Sequence, residues 1–424
     1  MKLPINIRSF FAEGKLRQFT GLFSANLLGI PLSFVTNIIL TSYLGAVLFG
    51  DFQFIYSIFN TANILLNLGI FYAANRALVL CSDKEKSREY YGTIIFTILF
   101  VSILMSIGVL VYSLLDLNVI GKGMDRYLIV LLPFSAVFMM DQCFETILQA
   151  DNRIRLLSYA RLLPKIVLLT GAILAYFVVK DSVEDKLMLI LGIYIFSLLS
   201  VYICVYAGLK PKFSNIGRRF KDLFLYEKTY GFDIYLGAIC AVGFTQISDI
   251  LISYFGADNS GLGFYRLGVQ FCAPLSFIPL TLANTYFKDF SNSERIKPRL
   301  MKISIFLSFG TMLLLWIAVP LILKWFFRPE FFQVAPICMI TSIGVILYGL
   351  ADFVNRFIAA KGMGKTLRNI SLILGPCVLL FSILLIPKFG AYGAAIAKIL
   401  SGATYFSIIL FSYLKAVNTK KDHC

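Results

Sequence analysis

Tyr43-Leu44-Gly45-Ala46-Val47-Leu48-Phe49-Gly50-Asp51-Phe52 and Tyr254-Phe255-Gly256-Ala257-Asp258-Asn259-Ser260-Gly261-Leu262-Gly263-Phe264-Tyr265 read as two versions of one motif. Each breaks a long apolar run with glycines and restarts it with an aromatic residue. They lie about 211 positions apart, half the chain, which marks an internal duplication. The shift recurs. Gln149-Ala150-Asp151-Asn152-Arg153-Ile154-Arg155 aligns with Ala359-Ala360-Lys361-Gly362-Met363-Gly364-Lys365, and Asp141 and Glu145 align with Asp352 and Arg356. The halves run 1–209 and 210–424. Any site between such copies is expected on their pseudo-symmetry axis.

The chain is 58% hydrophobic and only 15% charged, with a mean hydropathy of +0.81. Soluble domains carry about a quarter charged residues. Apolar runs of roughly 18–25 residues recur throughout, each able to cross a hydrocarbon core of about 30 Å. About twelve spans are read, near 19–42, 52–73, 92–115, 127–149, 157–179, 187–208, 231–254, 264–286, 300–323, 334–358, 367–386 and 391–414. The expected fold is an all-α polytopic membrane protein. An even number of spans per half gives parallel repeats, two six-helix lobes related by a pseudo-two-fold axis along the membrane normal.

Orientation follows from lysine and arginine. With both termini in the cytoplasm, about 30 of the 39 basic residues fall on that side and about 8 on the other. Residues 1–18 are basic and lack an apolar core, so a surface-lying amphipathic segment is expected rather than a signal peptide. The net charge of +16 is spread over membrane loops, which argues against a nucleic-acid partner. The eight cysteines stand singly and the only histidine is His423, so no metal, haem, other cofactor or disulfide framework is expected. Gly362-Met363-Gly364-Lys365-Thr366 looks like the end of a P-loop, but Ala359 stands where that motif needs glycine.

Polar side chains within spans need a partner or water, so they mark inward faces. Tyr56, Asn60, Asn63 and Asn67 follow one-face helical spacing, as do Asn26, Ser33 and Asn37. The seventh span carries Gln246, Asp249 and Ser253, and the eighth Arg266, Gln270 and Asn284. Such stripes on several helices point to a water-filled cavity, although helix–helix glue accounts for any one of them. Charges are more telling, because an ionisable group at membrane depth costs at least about 2.5–3.5 kcal/mol. Arg161, Lys165, Arg266, Arg356 and Lys398 suit an anionic, hydroxyl-rich substrate, while Asp141, Glu145, Asp249 and Asp352 are candidates for ion coupling.

The two glycine motifs, the stretch Trp325-Phe326-Phe327-Arg328-Pro329-Glu330-Phe331 and Lys388-Phe389-Gly390-Ala391-Tyr392-Gly393-Ala394-Ala395-Ile396-Ala397 resemble the polysaccharide transporters of the MOP (multidrug/oligosaccharidyl-lipid/polysaccharide) superfamily. Within it the chain looks like a Wzx-type O-antigen flippase, although it lacks the two extra spans of the lipid II flippase branch. The resemblance implies a pair of six-helix lobes with alternating access and no catalytic residues. It implies an undecaprenyl-diphosphate-linked oligosaccharide, moved to the periplasmic leaflet of the bacterial inner membrane through a cationic lumen and driven by an ion gradient. The implied partners are that lipid-linked substrate, the lipid bilayer and the polysaccharide polymerase machinery. The competing readings are a cation-coupled multidrug or metabolite exporter of the same superfamily and a membrane-embedded glycosyltransferase. The latter is disfavoured by extracytoplasmic loops of no more than roughly 12 residues, too short for a folded domain.

Overall fold

An apolar chain in lipid must satisfy its peptide groups internally, so long helices are the expected solution. The computed structural model describes residues 13–81, 83–180, 182–240 and 244–418. Side chains are described from Leu28 onward, apart from those of Tyr230, Asp233, Ala238, Thr245, Lys288, Ala416 and Asn418. Among the described residues, nine helices are long and apolar enough to cross a membrane. Most of the expected basic N-terminal segment lies outside the described residues, as does His423.

The first half contains α1 (Glu13–Leu66), α2 (Ile70–Val79), α3 (Lys84–Leu115), α4 (Leu117–Gly121), α5 (Asp125–Leu131), α6 (Ser135–Ala150), α7 (Ile154–Leu174) and α8 (Lys186–Leu209). The second contains α9 (Ile216–Tyr226), α10 (Phe232–Ala238), α11 (Phe244–Phe255), α12 (Ser260–Thr285), α13 (Phe287–Asn292), α14 (Pro298–Phe326), α15 (Val334–Ala360) and α16 (Gly364–Asn418). Two helices run far beyond one bilayer crossing, and each breaks at a glycine. α1 breaks at Gly45 (φ 75°, ψ 179°) and α16 at Gly390 (φ 54°, ψ −128°). Each therefore holds two of the expected spans. Aspartates start other helices: Asp83 accepts from Glu85 N at 2.9 Å and Asp185 from Met188 N at 3.0 Å.

Two expected spans are interrupted. The segment at 52–73 stops at Leu66, where Leu68 (φ 49°) and Gly69 (φ 87°) turn the chain before α2. Asn67 Oδ1 then accepts the Phe71 N–H at 3.2 Å, so this side chain finishes a helix start. The segment at 127–149 is α5, a 3₁₀ turn Leu132–Phe134 containing Pro133, and α6.

The chain clusters into two units. One contains the chain up to Tyr43 together with Ala62–Tyr235; the other contains Leu44–Thr61 and Leu236 onward. Tyr91, Ile94, Met105, Leu128, Phe144 and Leu148 fill the first unit's core. In the second, Phe290 meets Phe353 and Phe357 edge-on at 5.8 and 5.5 Å, and Phe357 meets Tyr413 at 5.3 Å. Only 11% of the apolar window of α7 and 17% of that of α14 is buried, against 61% for the α15 segment. The apolar windows of α7 and α14 are therefore mostly uncovered by the rest of the protein.

The duplication is written into the backbone. Asp151 N bonds Ile147 O, Asn152 N bonds Gln149 O and Arg153 N bonds Leu148 O. About 210 positions on, Lys361 N bonds Phe357 O, Gly362 N bonds Ala359 O and Met363 N bonds Ile358 O. Asn152 (φ 53°) and Gly362 (φ 71°) take the matching left-handed place. Lys180 (φ 49°, ψ −122°) likewise matches Gly390 (φ 54°, ψ −128°). Glycine adopts this conformation freely, whereas lysine is strained there by about 1–3 kcal/mol.

The two glycine motifs of the opening stretch meet inside the second unit. A Cβ on Gly50 would lie 1.9 Å from Asn259 O, so no other residue fits. Asn259 Nδ2 donates to Asp51 at 2.6 Å, and Ser253 Oγ donates to Asn259 at 2.5 Å. Phe331 packs edge-on against Phe49 at 6.2 Å and Phe264 at 5.7 Å, and Ala46 N–H donates to Glu330 at 3.2 Å.

Lys180→Gly is expected to raise stability by about 1 kcal/mol, read as a higher thermal midpoint in detergent, since the exposed side chain gives up little packing. Gly50→Ala is expected to lose well-folded protein, seen as aggregation during size-exclusion chromatography, because backbone must move to admit the methyl group.

Candidate functional site

In the first unit, α7 carries both cationic candidates. Arg161 stands about 10 Å and Lys165 about 17 Å from its start at 1.5 Å per residue. Arg161 pairs with Glu145 of α6, which is half exposed. Lys165 is partly exposed, and its Nζ donates to Gly29 O of α1 at 3.1 Å. Among the described residues it has no carboxylate partner. Asp141, one turn before Glu145, is exposed and makes no hydrogen bond or ion pair among the described residues.

The polar stripes there divide. Asn63 is buried and donates to Phe138 O at 3.2 Å, while its Oδ1 has no partner among the described residues. Asn37, Tyr56 and Asn60 are partly exposed and engaged with neighbours. The Asn26 side chain lies outside those described.

In the second unit, Arg266 of α12 donates to Asp249 and Gln246 of α11 and to Ser57 of α1, at 2.7 Å to Gln246 and 3.0 Å to Ser57. Ser57 Oγ also donates to Asp249 at 3.2 Å. Ser57 and Asp249 are 0% and 2% exposed, so this is a buried charged network. It consumes one cation and one carboxylate of the expected site. The Arg266 Nε remains buried without a hydrogen-bond partner among the described residues.

Lys398 is different. It stands about 12 Å past the Gly390 break, where α16 crosses α15 closely enough that a Cβ on Gly344 would meet Lys398 O at 2.8 Å. Its ammonium lies 5.0 Å from the Tyr348 ring centroid, and it makes no ion pair among the described residues. Tyr265, Tyr348, Ser248, Ser382 and Ser401 line a cavity of about 10 Å³ with it, room for roughly one water. The Tyr348 hydroxyl, with Ser401 beside it, is buried and has no well-formed hydrogen bond among the described residues. A turn of α15 away, Asp352 accepts from Tyr405 at 2.9 Å, and Tyr405 accepts from Asn355 at 2.6 Å. Arg356 is exposed with no ion pair among the described residues, and Gln270 and Asn284 are exposed as well.

The cations therefore fall into two groups. Arg161 and Arg266 are committed to carboxylates; Lys165, Lys398 and Arg356 make no ion pair among the described residues. Sequence reading missed Ser57, Ser248 and Ser382, since a lone serine in an apolar helix carries no distinguishing signal. It also passed over Asp51 and Asn259, although both lie within the two paired glycine stretches.

Asp249→Ala is expected to destabilise by about 3–5 kcal/mol by stranding the Arg266 guanidinium, and the double variant Asp249→Leu/Arg266→Met to recover most of that. Thermal unfolding of the purified variants as a double-mutant cycle measures both.

The sequence profile of the polysaccharide biosynthesis protein family matches residues 16–287. A relative from Staphylococcus aureus, described as capsular polysaccharide biosynthesis protein CapF, is 24% identical over 414 residues, spanning 94% of this chain and 98% of its own. Among solved structures, lipid II flippase MurJ in an inward closed conformation superposes with a TM-score of 0.72 at 15% identity, covering 93% of this chain and 89% of its own. An inward-facing multidrug resistance MATE family transporter of the MOP superfamily superposes with a TM-score of 0.65 at 10% identity, covering 93% and 96%. At these identities the structures establish the fold alone. The family profile covers well over half of the sequence, so this all-helical, multi-pass membrane chain with the MOP-superfamily fold belongs to the polysaccharide biosynthesis protein family.

Proposed function

We propose that the protein flips an undecaprenyl-diphosphate-linked oligosaccharide from the cytoplasmic to the periplasmic leaflet by alternating access, without covalent chemistry. The reading places it in the bacterial cytoplasmic membrane with both termini inside, handing its cargo to polysaccharide polymerase machinery. The observation that carries it is the set of cations in membrane segments that make no ion pair among the described residues, Lys165, Lys398 and Arg356. A lysine at membrane depth costs at least about 2.5–3.5 kcal/mol, and a pairing partner would reduce that. Retaining the charge uncompensated is what an anionic diphosphate requires. The capsular polysaccharide description of the Staphylococcus aureus relative supports a surface glycan as cargo.

Within this reading Lys165 and Arg356, both reachable by solvent, contact the phosphates. Lys398 acts from its small cavity as a fixed positive charge behind Tyr348. Arg161 and Arg266 hold helices in place. Asp141 is the favoured coupling carboxylate because Glu145 and Asp249 are held by arginines and Asp352 by Tyr405.

Lys165→Ala and Lys398→Ala are expected to abolish surface glycan, scored on immunoblots of whole cells, while membrane levels of the protein stay within about twofold of the parent. Lys165→Arg should restore part of the output, since it keeps the charge. Undiminished glycan in both alanine variants would remove the cationic site from the mechanism. Asp141→Asn should leave substrate binding intact and remove the response of flipping to an imposed proton or sodium gradient in vesicles.

A further inference from the structure

α9 sits in the basic connector after α8 and is fastened to the start of α3 by its inner face. Lys212 N–H donates to Arg88 O at 2.9 Å, and Arg88 Nε donates to Lys210 O at 2.8 Å. A Cβ on Gly92 would lie 2.3 Å from Lys212 O. Glu89, 9% exposed, accepts from Ser214 at 3.2 Å, Asn215 at 2.8 Å and Arg219 at 2.8 Å. Arg219 also donates to Asp222 at 3.0 Å, and Tyr90 donates to Asp222 at 3.1 Å. Burial alone would lower the Arg219 guanidinium, but these carboxylates raise it, so it stays charged. The anchors occupy the first turns of α3, just before the span expected at 92–115, so α9 is expected at the level of the membrane surface.

The outer face has a different chemistry. Phe213, Phe220, Phe224 and Leu225 are about half exposed, and Gly217, Phe220 and Phe224 follow the spacing of one helical stripe. Arg218, Lys221 and Lys228 are exposed alongside, with Lys228 Nζ 4.8 Å from the Phe224 ring centroid. The acid of α9, Asp222, and the neighbouring Glu89 turn inward and are used up by the fastening, while Glu227, just beyond α9, is half-buried. Inside α9, every fully exposed charge is basic.

We propose that this face is a docking surface for the anionic phospholipid headgroups of the adjoining leaflet. Arg218, Lys221 and Lys228 take the phosphates, and Phe220 and Phe224 enter the headgroup boundary. An aromatic stripe beside a basic one is the arrangement that lies in a charged interface, and each basic residue there strengthens binding by roughly fivefold. A soluble acidic protein would be attracted by the same charges, but a helix clamped at bilayer level offers its aromatics to lipid first.

The test uses the full chain carrying Phe224→Trp, reconstituted in mixed phosphatidylglycerol and phosphatidylcholine vesicles. Bromine is placed on the acyl chains of one lipid or the other. The reading is the quenching gained over the parent chain, which corrects for Trp316 and Trp325. Brominated phosphatidylglycerol should quench at least about fivefold more effectively than brominated phosphatidylcholine at equal mole fraction. Adding Arg218→Gln, Lys221→Gln and Lys228→Gln should equalise the two lipids while leaving quenching itself in place. Equal quenching before those changes would overturn the proposal. So would an unquenched, water-like emission, which marks a face left free for a soluble partner. Native mass spectrometry of the unaltered chain offers the same choice without any variant. Retention of phosphatidylglycerol over phosphatidylcholine supports the surface, and equal retention overturns it.

Discussion

A polar group buried in hydrocarbon must find a partner within the protein, and the second unit is built around meeting that condition. Two buried networks do so. One joins Arg266, Asp249, Gln246 and Ser57, and the other joins Asp51, Asn259 and Ser253. Ser57 and Asp51 come from the short segment Leu44–Thr61, far from the rest of the unit in sequence. The networks, with the closeness of Gly50 to Asn259, explain why this segment packs with the chain beyond Leu236. Breaking one member of either network leaves its partner stranded where water cannot reach it.

The same condition sorts the membrane cations. Arginine presents a planar fork of donors that can hold several acceptors at once, and both Arg161 and Arg266 hold carboxylates. Lysine is a compact charge. Lys165 meets a backbone carbonyl and Lys398 an aromatic face, and neither contact cancels the charge. In the proposed function these two lysines attract the charged headgroup of the lipid-linked cargo.

Much of the fold was legible because bilayer crossing is a matter of length and apolarity, both local properties. The limits expected for α3, α8, α12 and α14 agree with the helices to within several residues. The turn at 149–155 and its twin at 359–365 were recognisable as a pair, and their hydrogen bonds repeat one for one. Asn67 was harder to read. Its spacing from Asn63 placed it on a continuing stripe, but the chain turns at Leu68 and Gly69 and the amide caps α2 instead. The match of Lys180 to Gly390 was invisible, since nothing about a lysine announces a positive φ.

By itself the sequence determined the helical class, the number of spans and the duplication, because hydropathy and glycine spacing act through neighbours along the chain. It also named most of the charges inside the spans. Only the tertiary structure decided which of those charges meet. Pairing depends on which helix faces touch, and residues such as Ser57 and Asp249, 192 positions apart, are brought together by packing that no local pattern encodes.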